Sequence, residues 1–131
     1  MITDAQGIPL VAILTAANVN DITELIPLVD AIPPLQGKRG RPRRRPESLY
    51  ADRGYDSNAH RQQLRDRHIR PFLGRRRRSH GSGLGIYRWV IERTLSWLHQ
   101  FRRLRVRYER RPEIHQALMV IGCLLICRRF L

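Results

Sequence analysis

Twenty-four arginines and a single lysine, Lys38, stand against eleven acidic side chains in these 131 residues, a net charge of +14. An excess of that size repels itself in any compact fold unless something anionic lies against it. Arginine grips phosphate oxygens through paired N–H donors and stays charged at every physiological pH. Nucleic acid is therefore the expected partner. A coding preference for arginine on a solvated surface would explain the ratio of arginine to lysine, but not the net charge. The apolar content of 42% suffices for a core at this length. That excludes an acidic solvating tail and a wholly disordered chain.

Other bounds are mostly exclusions. Cys123 and Cys127 are the only cysteines; four apart in an apolar segment, they share a helical face and read as buried free thiols, not as a disulfide framework. The opening MITDAQGIPL lacks the charged-then-apolar layout of a signal peptide. The longest apolar run, Ala117 to Cys127, has 11 residues, whereas a membrane span needs roughly 20. A buried helix is expected there, in a soluble chain of the cytoplasm that has no membrane partner.

Residues 1–15 read as a β-hairpin turning at Asp4-Ala5-Gln6-Gly7. Asp21, with Glu24 three residues on, has the spacing of a helix capping box, and Leu25, Leu28 and Val29 follow on one face. The Pro/Gly/Arg tract 33–46 cannot pack a core and reads as an exposed basic loop. Leu49-Tyr50-Ala51 is a short strand ending at Asp52, Ser57 caps a polar helix, and Ile69-Arg70-Pro71-Phe72 is a second strand. A second basic loop spans 74–85. An amphipathic helix is predicted from Tyr87 to about Arg105, and Pro112 opens a final apolar helix. This order of elements predicts an α/β fold with a mixed sheet flanked by helices.

With acids scarce, two of them matter. Asp52 sits directly after a strand, and the carboxyl end of a sheet strand is where α/β proteins place reactive groups. At about 100° per residue, Arg88, Glu92, Ser96, His99 and Arg103 share one face of the predicted helix. Val90, Thr94, Trp97 and Phe101 fall on the opposite, core-directed face. Taken alone, Glu92 reads as an ordinary helix-surface acid paired with Arg88.

The strings YADRGYDS and RWVIERTLSWLHQFRRLRVRYERR, with GIPLVAILTAANVND upstream, resemble the DDE transposases of the bacterial insertion-sequence-five family. The resemblance covers nearly the whole chain. It implies that Asp52 is the second catalytic Asp and Glu92 the catalytic Glu, both metal ligands for Mg²⁺ or Mn²⁺, on a ribonuclease-H-like fold. It also implies a first catalytic Asp on a strand ahead of the GIPL hairpin; neither Asp4 nor Asp21 matches that position. Residues 1–131 would thus be the C-terminal part of the catalytic domain, with an upstream polypeptide supplying the first Asp. In the family's Tyr-x2-Arg-x3-Glu-x6-Lys signature, Gly85 stands at the Tyr position and His99 at the Lys position.

The function so implied is DNA transposition by metal-dependent phosphodiester cleavage and strand transfer at insertion-sequence ends, incomplete in this chain alone. Double-stranded DNA would be the partner, with self-association upon it, in the bacterial cytoplasm at the nucleoid. The expected phosphate contacts are Arg43, Arg44, Arg45, Arg75, Arg76, Arg77, Arg78, Arg88, His99, Arg102 and Arg103. The alternative is a catalytically inactive fragment that binds DNA nonspecifically. A basic RNA-binding protein would account for the charge but for neither ADRGYDS nor RWVIERT.

Overall fold

The structure is a computed structural model that describes residues 1–16, 18–37, 39–77 and 85–130. Arg78 and most of the second basic loop lie outside the described residues. In chain order the elements are β1 (Ile2–Thr3), β2 (Pro9–Val11), α1 (Leu25–Asp30), β3 (Ser48–Ala51), α2 (Asn58–Asp66), β4 (Arg70–Leu73), α3 (Gly85–His99), α4 (Arg102–Arg105) and α5 (Pro112–Arg128), with 3-10 turns at Asp21–Glu24 and Arg53–Tyr55. They form two compact units, Met1–Ala16 with Trp89–Leu131, and Ala17–Arg88. Each holds one two-stranded ladder, antiparallel for β1–β2 and parallel for β3–β4. The fold is mixed α/β with helices and small sheets.

In the unit of residues 17–88, β3, α2 and β4 form a parallel crossover. Register runs from Ser48 opposite Arg70 to Ala51 opposite Leu73. Ser57 caps α2 as its hydroxyl accepts the His60 N–H at 3.3 Å. Leu25, Leu28, Val29, Ile32, Leu49, Leu64, Ile69 and Leu73 are buried and make the core. Arg67 clamps Asp30 with two donors, at 2.9 and 2.8 Å, and so ties α2 to α1. The helix start differs from the expected capping box. Asn20, not Asp21, is the cap, its side chain accepting the Ile22 N–H at 3.3 Å. The chain enters α1 through a 3-10 turn, and Pro27 falls in the first helical turn, where its missing N–H leaves no bond unmade. The basic tract at 33–46 is exposed over most of its length, as expected. It is also pinned across its neck by paired backbone bonds of 2.8 Å between Leu35 and Arg43.

In the other unit, Asp4 closes the hairpin turn, its Oδ1 accepting the N–H groups of Gln6 at 2.9 Å and Ile8 at 2.8 Å. Gln116 on α5 extends the strand edge. Its amide donates to Ala12 O at 3.0 Å and accepts from Leu14 N at 2.9 Å.

Two expectations about this unit are corrected. The helix predicted from Tyr87 to Arg105 breaks after His99, with Phe101 in extended backbone capping the separate α4. Its buried line is Val90, Thr94 and Leu98; Trp97 and Phe101 are only half-buried. The break lets Leu98 and Leu104 both close on α5 at Gly122, where a Cβ would stand 3.0 and 2.8 Å from their methyl groups. The apolar helix α5 is not buried as expected. Only Gly122 and Ile126 are buried, while Ile121, Leu124 and Leu125 are exposed. A helix that is apolar all round needs cover on every side, and this unit covers one. Cys123 and Cys127 are half-buried free thiols, and burial pushes the Cys123 thiol up from its ordinary value.

Candidate catalytic carboxylates and basic surface

Asp52 follows β3 directly and caps the 3-10 turn Arg53–Tyr55, its Oδ1 accepting the Gly54 N–H at 2.9 Å. The carboxylate is exposed. Two glycines shape the ground around it. A Cβ on Gly54 would lie 3.0 Å from Asp52 Oδ1, and one on Gly74 would lie 3.0 and 3.1 Å from Arg53 Cγ and N. Gly74 is the point where the chain leaves β4 against the end of β3, bonded through its N–H to Ala51 O at 3.0 Å. Any side chain there would push on the turn that aims Asp52.

A second carboxylate, Asp56, holds this turn together. It accepts the Arg76 backbone N–H at 2.7 Å and pairs with Arg61 at 2.7 Å. Arg61 is buried and also donates to Leu73 O at 3.1 Å. The Arg76 guanidinium donates to Arg53 O at 3.1 Å and Gly54 O at 3.3 Å. Arg76, one of the expected phosphate contacts, is thus occupied in clamping the Asp52 turn. Sequence reasoning missed the cluster; the available signal was Arg61 standing three residues before Leu64 on the inward face of α2.

The Arg76 amide, and after it the Arg61 guanidinium, hold the Asp56 carboxyl below its ordinary value of 3.8. A carboxyl depressed on folding adds stability that is present above the unfolded value and lost as pH falls through the folded one. Asp56→Asn should therefore lower the melting temperature at pH 7, with the gap to wild type closing below about pH 4. Thermal melts from pH 7 down to about pH 2 check this, and a gap that does not change across that span would count against it.

Glu92 lies mid-way along α3 and is exposed. Its helix is fixed against the hairpin turn from the opposite side. The Thr94 hydroxyl donates to Gly7 O at 2.6 Å, and the Arg93 guanidinium donates to Gln6 O. The contact is close because Gly7 has no side chain. Its φ is +82°, and a Cβ would meet Thr94 Oγ1 at 2.9 Å. At 100° per residue, Val90 and Thr94 face the turn and Glu92 points away from it. Arg93 also lies over the Trp89 and Trp97 rings, at 4.3 and 5.0 Å.

Asp52 and Glu92 belong to different units, and each is described within its own. Among the described residues no group of three or more His, Cys, Asp or Glu side chains is arranged to hold a metal ion.

Of the cations named from the sequence, Arg43, Arg44, Arg45, Arg75, Arg77, Arg88, His99, Arg102 and Arg103 are exposed. Arg43 pairs with Glu47 at 3.2 Å, and Arg103 with Glu109 at 2.7 Å. His99 and Arg102 come together with Ser96, Gln100 and Arg105 around an open concavity of about 340 Å³. Arg105, at the end of α4, adds a charge to that site. The break in the helix creates the concavity by turning α4 out of line with α3.

The Transposase DDE domain family matches residues 1–127. The chain belongs to this family. Its match runs through both carboxylate motifs, including Asp52 and Glu92. Over 127 residues the chain is 64% identical to a protein of Burkholderia cepacia named "Putative transposase for insertion sequence element IS402", with 97% of this chain and 60% of that protein covered. The DDE-family chain thus spans about 60% of the length of the curated relative it matches. No solved structure matches it.

Proposed function

We propose that this chain carries the second and third catalytic carboxylates, Asp52 and Glu92, of a DDE transposase of the insertion-sequence-five type, on a ribonuclease-H-like scaffold. Its work is phosphodiester cleavage and strand transfer at the ends of an insertion sequence. The observation that carries the reading is the family match across residues 1–127, which includes both acids. Asp52 at the carboxyl end of β3 is where that chemistry needs a carboxylate. The first Asp comes from sequence preceding the hairpin, in the same chain or in a partner polypeptide.

The donor set suits Mg²⁺ or Mn²⁺. Both side chains offer hard oxygen ligands and are exposed. Asp52 spends Oδ1 on its own turn, which leaves Oδ2 for a cation. Divalent cations bound there would activate water or a 3′-hydroxyl and support the leaving oxygen. The protein's own part is to fix the two carboxylates, one through the Gly54–Asp56–Arg76 clamp and the other through the Thr94–Gly7 anchor. Double-stranded DNA lies along the exposed arginines, and the Ser96–Arg105 concavity takes a phosphate. The exposed apolar side of α5 suits self-association on DNA. Among the described residues no helix is long and apolar enough to cross a membrane, and the place of action is the bacterial cytoplasm at the nucleoid.

Calorimetric titration of this chain with Mn²⁺ should show weak binding that Asp52→Ala abolishes and Arg44→Ala leaves alone. Binding indifferent to Asp52 would favour the second reading, an inactive fragment that holds DNA nonspecifically, for which the net charge of +14 speaks.

A further inference from the structure

The outer face of the β3–β4 ladder carries a row of aromatic rings that the catalytic reading does not use. Strand alternation turns Leu49 and Leu73 inward, where they are buried, and turns Tyr50 and Phe72 outward. These two are register partners, and their rings stack at 4.7 Å with 6° between planes. Tyr87, in the first turn of α3, continues the row on Tyr50 at 4.1 Å and 25°. The neighbouring Tyr50 hydroxyl raises the Tyr87 phenol above its ordinary value.

All three rings are exposed, Tyr50 by 38%, Phe72 by 44% and Tyr87 by 46%. Tyr50 is the middle ring. The end rings, Phe72 and Tyr87, each have one face taken by it and no other stacking partner among the described residues. Arg70 stands on the same outward face of β4, two residues from Phe72, and is exposed. Three stacked rings left to water beside a cation lack a purpose in the monomer's core. Nucleic acid supplies both missing partners, a flat π-face for the end ring and a phosphate for the guanidinium. A paired base has both faces covered by its neighbours in the duplex, so only an unpaired one can take the place.

We propose that the Tyr50–Phe72–Tyr87 row is a stacking site for an unpaired DNA base, with Arg70 on the adjoining phosphate. The inference rests on the DNA-binding reading above and adds to it a preference for single-stranded or gapped DNA. It is tested by fluorescence anisotropy with labelled oligo-dT and with a fully paired duplex, using the whole chain. Phe72→Leu and Tyr87→Leu, which keep apolar bulk but lose the π-face, should each weaken oligo-dT binding about tenfold. Duplex binding should stay within twofold, and Tyr87→Phe should bind oligo-dT as the wild type does. Circular dichroism checks that the variants fold; if Phe72→Leu does not, Tyr87→Leu at the helix start carries the test alone. Equal losses on both DNA forms, no loss on either, or tighter binding of oligo-U than of oligo-dT would overturn the stacking site. Rings covered by a second copy of the chain would show as a dimer in sedimentation that Tyr87→Leu dissolves, and that too would overturn it. Wild type that binds neither DNA form would sink the DNA-binding reading itself.

Discussion

Duplex DNA binding by this chain should fall by roughly 10³- to 10⁵-fold between 50 and 200 mM salt, the loss expected when six to ten phosphates are neutralised. The magnitude follows from counterion release, which scales with the number of cations laid against phosphate and not with base sequence. The supply is ample: Arg39, Arg41, Arg43, Arg44 and Arg45 are all exposed on the first basic loop, and Arg102 and Arg105 on α4. The neck bond between Leu35 and Arg43 makes that loop a closed finger, so several charges can reach one backbone together. Replacing Arg43, Arg44 and Arg45 with glutamine should flatten the salt slope by about three charges' worth. Arg76→Gln should act differently, lowering thermal stability because its donors hold the Asp52 turn. An affinity that does not move between the two salt concentrations would exclude a phosphate-led interface.

Joined to the segment that bears the first catalytic Asp, the chain should nick the ends of its parent element in Mg²⁺ or Mn²⁺. Asp52→Ala or Glu92→Ala should then cut the rate by roughly 10³-fold or more, as expected where a metal ligand stabilises charge developing in the transition state. The double variant should be little worse than either single one, since residues that act as a unit are not additive. Gly74→Val tests the scaffold behind Asp52. It should lower the rate, because a side chain there presses on Arg53 and on the Asp52 backbone. Full cleavage by Asp52→Ala in that setting would remove Asp52 from the catalytic set.

Asp52 and Glu92 became candidates before any coordinates, for different reasons. Asp52 stood out because acids are scarce here and a short apolar strand ends there; that its side chain closes the following turn on Gly54 only the structure gave. Glu92 had no such local mark, and only the resemblance of RWVIERT to a family motif lifted it above the other helix-surface acids. The Asp56–Arg61–Arg76 cluster stayed hidden because its three members are brought together by the β3–β4 register. The helical spacing of Arg61 and Leu64 hints that Arg61 faces inward, but nothing in the separate segments marks Arg76 as a structural clamp.

Local signals in the chain were enough for the Asp4 turn of the hairpin, the Ser57 cap, the start of α5 at Pro112, and two short strands read at 49–51 and 69–72, which the structure places at 48–51 and 70–73. Each depends on residues within four positions of one another, so neighbours in the chain suffice to set it. Tertiary structure decided what depends on distant neighbours. It broke the long helix at Gln100 and Phe101, where neither glycine nor proline stands, so that Leu98 and Leu104 could both meet Gly122. It chose Val90, Thr94 and Leu98 as the inward line because Gly7 let the hairpin turn come close to that side. It also left most of α5 uncovered, since apolar composition states that a surface tends to be buried, while only the number of packing partners within reach determines how much of it is.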